Sequence, residues 1–161
     1  MPTTVYKTLK TVLAAFAKRS TSNLESVENK QYTFRIDATA DTSSDDFSIF
    51  HADGPVYLKK IVFLPDIAIA SSATEKVELT FFNASTDGSG TTELGSYSTY
   101  ASDDETINAA LVAFDAKTVY SPTNPLYLAN DSVVRMDIDV TTASSINIQG
   151  LVVVHYASII P

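Results

Sequence analysis

The chain has 161 residues and a mass of 17.4 kDa, with 11 basic and 19 acidic side chains for a net charge of −8. That length suits one domain able to hide about two-thirds of its extended-chain surface, and 45 % apolar residues argue against a disordered polyanion. The sequence has no cysteine, which excludes disulfides, thiolate nucleophiles, iron–sulfur clusters and cysteine-based zinc sites, and its two histidines, His51 and His155, supply catalytic or metal chemistry poorly.

From Thr4 to Arg19 the pattern is helical. Val5, Leu9, Val12, Leu13 and Phe16 form one apolar stripe, with Lys7, Lys10 and Lys18 mostly off it and Lys18 and Arg19 suited to the C-terminal turn. Residues 1–19 carry four positive charges and no carboxylate, so the remaining chain has 7 basic against 19 acidic residues, or −12. Such a body repels nucleic acid and anionic membranes. The lysines interrupt any secretion-signal pattern, and no stretch reaches membrane-spanning length. The stripe must be buried, on the chain's own sheet or on a partner. We therefore expect a basic amphipathic arm or helix over 1–23 and an acidic β-sandwich domain over 24–161.

After the polar hinge Ser20–Asn23, Leu24–Asn29 is ambiguous. From Gln31 period-two patterning takes over: Tyr32, Phe34 and Ile36 alternate with Thr33, Arg35 and Asp37. Phe47–His51 is a short candidate strand and Val56–Leu64 a stronger one, ended by Pro65. Lys76–Phe82 follows, with Val77, Leu79 and Phe81 on one face. Asp87-Gly88-Ser89-Gly90 reads as a turn, and Glu93–Tyr97 as a short strand. Ile107–Phe114 leaves helix against strand open; Pro122 and Pro125 mark a turn and an edge strand between Val119 and Leu128. Ser132–Val140 alternates cleanly, and Ile146–Tyr156, with three successive valines, reads as a central strand buried on both faces or at an interface. About eight short strands without a βαβ rhythm predict an all-β, jelly-roll-like antiparallel sandwich.

Carboxylates recur at Asp45-Asp46, at Asp103-Asp104-Glu105 and at Asp137/Asp139, which share one strand face. None has the twelve-residue order of an EF-hand, and a glycosidase pair would also need a raised pKa and a sugar cleft. His155 reads as a packed or interface histidine, and His51 lies before the turn-like Asp53-Gly54-Pro55. No nucleophile elbow, phosphate loop, dinucleotide fingerprint or H-E-x-x-H pattern is present. We expect no enzyme, no cofactor and no metal site. Tyr97 and Tyr100, beside the acidic loop, are candidates for surface recognition, because tyrosine joins contact area to a hydroxyl.

Three features together resemble head-decoration (cement) and related virion accessory proteins of tailed bacteriophages. They are the basic arm before an acidic β body, the strand Val56–Leu64, and the segments Pro125–Leu128 and Asp131–Val134 followed by Ile146–Tyr156. The resemblance implies a non-enzymatic capsid accessory on the virion surface, commonly trimeric, that reinforces a shell. Its partners would be the major capsid protein or another virion protein and copies of itself, with no nucleic acid and no membrane. Val5, Leu9, Val12, Leu13 and Phe16 would anchor the arm, and Lys7, Lys10, Lys18 and Arg19 would set its register on an acidic partner. Two alternatives stand beside this reading: a carbohydrate- or receptor-binding β module of a fibre, tail or secreted assembly, and a self-assembling major shell subunit.

Overall fold

The structure, a computed structural model, describes residues 26–40, 45–72, 76–100, 110–141 and 146–160. The arm residues and the Asp103–Glu105 triplet lie outside the described residues. Among the described residues nine strands follow in chain order: β1 (Ser26–Ala40), β2 (Asp45–His51), β3 (Val56–Pro65), β4 (Lys76–Asn83), β5 (Thr92–Ser98), β6 (Lys117–Tyr120), β7 (Leu126–Leu128), β8 (Val133–Thr141) and β9 (Ile146–Ile160).

They pair into two antiparallel sheets. One has the order β1-β9-β3-β6, with β7 also on β3; the other has the order β2-β8-β4-β5. Taken together, β6 and β7 are one strand interrupted around Pro122 and Pro125, where proline withdraws its N–H from the ladder. The pairing is then nested: first with last, second with second-last, third with third-last, and the middle two together. That is the wrapping of an eight-stranded jelly roll.

The core lies between the sheets and follows the alternation seen in the sequence. Val77, Leu79 and Phe81 of β4 and Val134, Met136, Ile138 and Val140 of β8 face Ile36, Ile61, Phe63, Ile148, Val152 and Val154 of the other sheet. Two breaks in alternation are β-bulges. In β3, Leu58 is opposite Tyr156 and Lys60 opposite His155, so Lys59-Lys60 spends two residues against one. Val56 and Leu58 point inward before the bulge, and Ile61 and Phe63 after it. The apolar set along Val56–Leu64 therefore changes parity at the lysines. A register shift between Ser48 and Phe50 likewise buries both Ile49 and Phe50.

The structure extends both terminal strands beyond the expected limits. β1 starts at Ser26, not Gln31, because Ser26–Lys30 pair through their backbones with Tyr156–Ile160. Polar Glu28, Asn29, Lys30 and Gln31 carry no hydrophobic alternation, so composition hides a strand that main-chain bonds define. Of the three successive valines, Val152 and Val154 are fully buried whereas Val153 faces outward and is half-buried. Over the described part of Ile107–Phe114 there is neither helix nor ladder. Leu111 exchanges two 2.9 Å backbone hydrogen bonds with Ile69 as an isolated bridge and joins the core.

Candidate interaction surfaces

Sheet alternation gives each sheet an outer face, and the two differ in chemistry. On the four-stranded sheet, Asp46 of β2 stands directly opposite Asp137 of β8, and Glu78 of β4 directly opposite Asp139. Like charges in such cross-strand positions are destabilising. Two cations offset them: Arg135 bonds Asp137 through Nε at 2.8 Å and Nη2 at 3.1 Å, and Lys76 reaches Glu78 at 2.8 Å. Arg135 also lies over the Phe82 ring at 5.2 Å. Burial holds the Asp137 carboxyl above its ordinary range; the Arg135 hydrogen bond pulls it back, and the Asp46 charge pushes it up again. The Glu78 hydrogen bond raises the Lys76 ammonium.

This arrangement sets the pH response. A carboxyl raised on folding binds more protons in the folded than in the unfolded chain between its ordinary value and its raised one. Its contribution to stability is therefore greatest below the ordinary value and falls as pH rises through that window. Replacing Asp46→Asn removes the facing charge, so at pH 7 the variant should be more stable than the parent by about 0.2–1 kcal/mol. The gain should shrink on acidification toward pH 4. Thermal melts at the two pH values read both effects; an equal gain at both would show that charge repulsion is not the cause.

The outer face of the five-stranded sheet is built differently. Val62 and Val153 are paired neighbours, as are Leu64 and Leu151, so four aliphatic side chains form a block in the middle of the face. Val62 is buried and the other three are half-buried. Around them the polar groups are satisfied within the sheet. Arg35 pairs with Asp66 at 2.9 Å, Gln149 donates to Asp37 at 2.9 Å, Gln31 lies 3.1 Å from His155, and Lys59 donates to Asn29. Farther along β3, Tyr57 meets the exposed Tyr127 edge to face at 5.7 Å. A face with an aliphatic centre and an internally bonded rim loses little polar hydration on contact with another protein.

The candidate tyrosines occupy different settings. Tyr97, in β5, packs against the core and donates its hydroxyl to the Ala110 carbonyl at 3.5 Å, and burial raises its phenol. Tyr100 lies just beyond β5 at a bridge to Ser72 and is 37 % exposed. His155 lies on the outer face of β9, and His51 ends β2 with Nδ1 3.3 Å from Asp53 and Nε2 3.8 Å from Asp131. Asp137 and Asp139 lie on an open sheet face and line none of the three clefts formed around Phe50, Ile69 and His155. Among the described residues, no group of three or more histidines or carboxylates is placed to hold a metal ion, and no helix is long and apolar enough to cross a membrane.

Sequence reasoning missed two surface features. One is Glu78 facing Asp139, which depends on a register that no single strand reveals. The other is Phe114, 75 % exposed and at a φ of 63°. Its signal was an apolar residue followed at once by Asp115, at the point where the apolar run ends.

No protein-family model matches the sequence, and no curated protein does. Among solved structures the chain is similar to one in the cyanophage Pam1 capsid asymmetric unit, with 15 % identity over 82 % of this chain and 84 % of that one and a TM-score of 0.49. It is also similar to a chain of the infectious bursal disease virus Gx strain (8 % identity, 82 % of this chain and 33 % of that one, TM-score 0.37). A third similarity is to the VP2 subviral particle of infectious bursal disease virus (7 % identity, 81 % and 32 %, TM-score 0.35). The chain spans about a third of the length of those bursal disease virus chains.

Proposed function

We propose that this chain is a non-enzymatic structural protein of a virion, which decorates or stabilises the capsid surface through protein–protein contacts with the shell and with its own copies. The jelly roll alone does not choose this role, since the same wrapping serves capsid, lectin and cupin domains. The contrast between the two outer faces carries the reading. One face holds Asp46, Glu78, Asp137 and Asp139 and suits solvent; the other holds the Val62, Leu64, Leu151 and Val153 block and suits a protein neighbour. On a repeated shell, contacts of this modest size gain strength by acting together.

Residues 1–19 add a second contact in this account. Val5, Leu9, Val12, Leu13 and Phe16 bury against the neighbour, and Lys7, Lys10, Lys18 and Arg19 meet its acidic groups. The full chain and a form lacking residues 1–19 can be compared by co-sedimentation with purified shells. The deletion should lose at least about tenfold in binding, as expected when several anchors are removed together, while the β body melts at the parent temperature. Undiminished binding by the deleted form would refute the arm's role.

A further inference from the structure

We propose that Phe114 of one copy seats in the cleft at the opposite end of a second copy, joining copies head to tail. Phe114 gains little in its own fold. Phe114 is 75 % exposed, Val112 beside it is 53 % exposed, and the Phe114 φ of 63° is one that bulky L-residues avoid. The backbone nevertheless fixes it there. The Phe114 N–H donates to the Pro65 carbonyl at 2.7 Å, and the Asp115 N–H to the Val112 carbonyl at 3.1 Å, so the ring stands out from a closed turn. Strain and an exposed aromatic at one residue point to a use outside the monomer.

The receiving cleft lies at the start of β3, whereas Phe114 is tied to the last residue of that strand. Nine residue steps put the two about 30 Å apart, too far to meet within one copy. The cleft holds about 490 Å³, with Phe50, Pro55, Val56, Tyr156 and Ile159 giving it apolar walls. The Phe50 and Tyr156 rings are 4.9 Å apart and tilted by 52°, an arrangement to which a third ring can add edge to face. Lys30 and Asp53 both line the cleft, and Asp115 beside the knob is already paired with Lys117 at 2.7 Å, so apolar burial and not charge carries the contact.

A knob at one end and a socket at the other make a heterologous contact, which closes into a ring or runs on as a filament. The inference deepens the reading of the chain as an assembling protein, yet the pure chain tests it without a shell, so its failure and the failure of shell binding are separable. Sedimentation velocity of the full chain up to about 1 mM should show reversible growth from 17.4 kDa to multiples of that mass. Phe114→Asn should weaken self-association at least about tenfold without lowering the melting temperature, because asparagine accepts the left-handed backbone. Gly54→Arg should do the same from the socket side, since a Cβ at Gly54 meets nothing within 4 Å and the long side chain overhangs the cleft.

Mixed in equal amounts, the two variants retain one good knob and one good socket, and should form 1:1 dimers that grow no further. A parent chain monomeric throughout, variants that associate like the parent, or a mixture that stays monomeric would each overturn the proposal. So would Phe114→Asn losing shell binding while keeping self-association, which would assign the knob to a foreign protein.

Discussion

Truncating Phe81→Ala should destabilise the protein by about 3–5 kcal/mol, a large share of the roughly 5–15 kcal/mol typical of a domain. Phe81 is fully buried in the middle of β4, where its neighbours in register are Met136 on β8 and Gly95 on β5. Gly95 contributes no side chain, and none can be added there, because a Cβ would collide with the Val119 carbonyl across the sandwich. The ring of Phe81 therefore has no larger neighbour on that side to relax into the space it leaves. Denaturant unfolding measures the loss; a cost under about 1.5 kcal/mol would show that the two sheets close over the gap.

The second large effect is expected at Gly150→Ala. Gly150 sits in β9 between Ile36 and Pro65, on the inward face. An added Cβ would lie 2.5 Å from the Leu64 carbonyl and 2.8 Å from the Phe63 ring. The carbonyl belongs to the ladder and cannot rotate away, so β3 and β9 must separate locally and Phe63 must leave its place. Overpacking of this kind costs about 1–3 kcal/mol, and Gly150→Val should cost more than Gly150→Ala. Here the β-propensity of valine would favour the substitution, so a more stable valine variant would contradict the packing account.

Much of this fold was legible because alternation and burial agree. Val134, Met136, Ile138 and Val140 announced the inward face of β8, and Pro122 with Pro125 announced a turn and an edge strand between Val119 and Leu128. Sequence reasoning failed where backbone pairing, and not side-chain contrast, makes the strand. Glu28 to Gln31 are polar on both faces yet pair along β9, and Lys59-Lys60 marks a bulge that reads locally as a simple interruption. The surfaces were less legible than the core. Asp137 and Asp139 could be placed on one face from parity alone, but Asp46 and Glu78 meet them only through strand register. The Val62, Leu64, Leu151 and Val153 block arises in the same way, from two strands far apart in the chain. Phe114 looked like the end of a core run, and only its backbone conformation and exposure set it apart.

On the proposed function, the two-faced sandwich is a stoichiometric part of a virion. Quantitative mass spectrometry of purified virus particles from the organism that makes the chain tests this most directly. Peptides of the β body should appear at a fixed molar ratio to the major shell protein, unchanged through successive density-gradient purifications. Absence from the particles, or a ratio that falls toward zero with each purification, would contradict it.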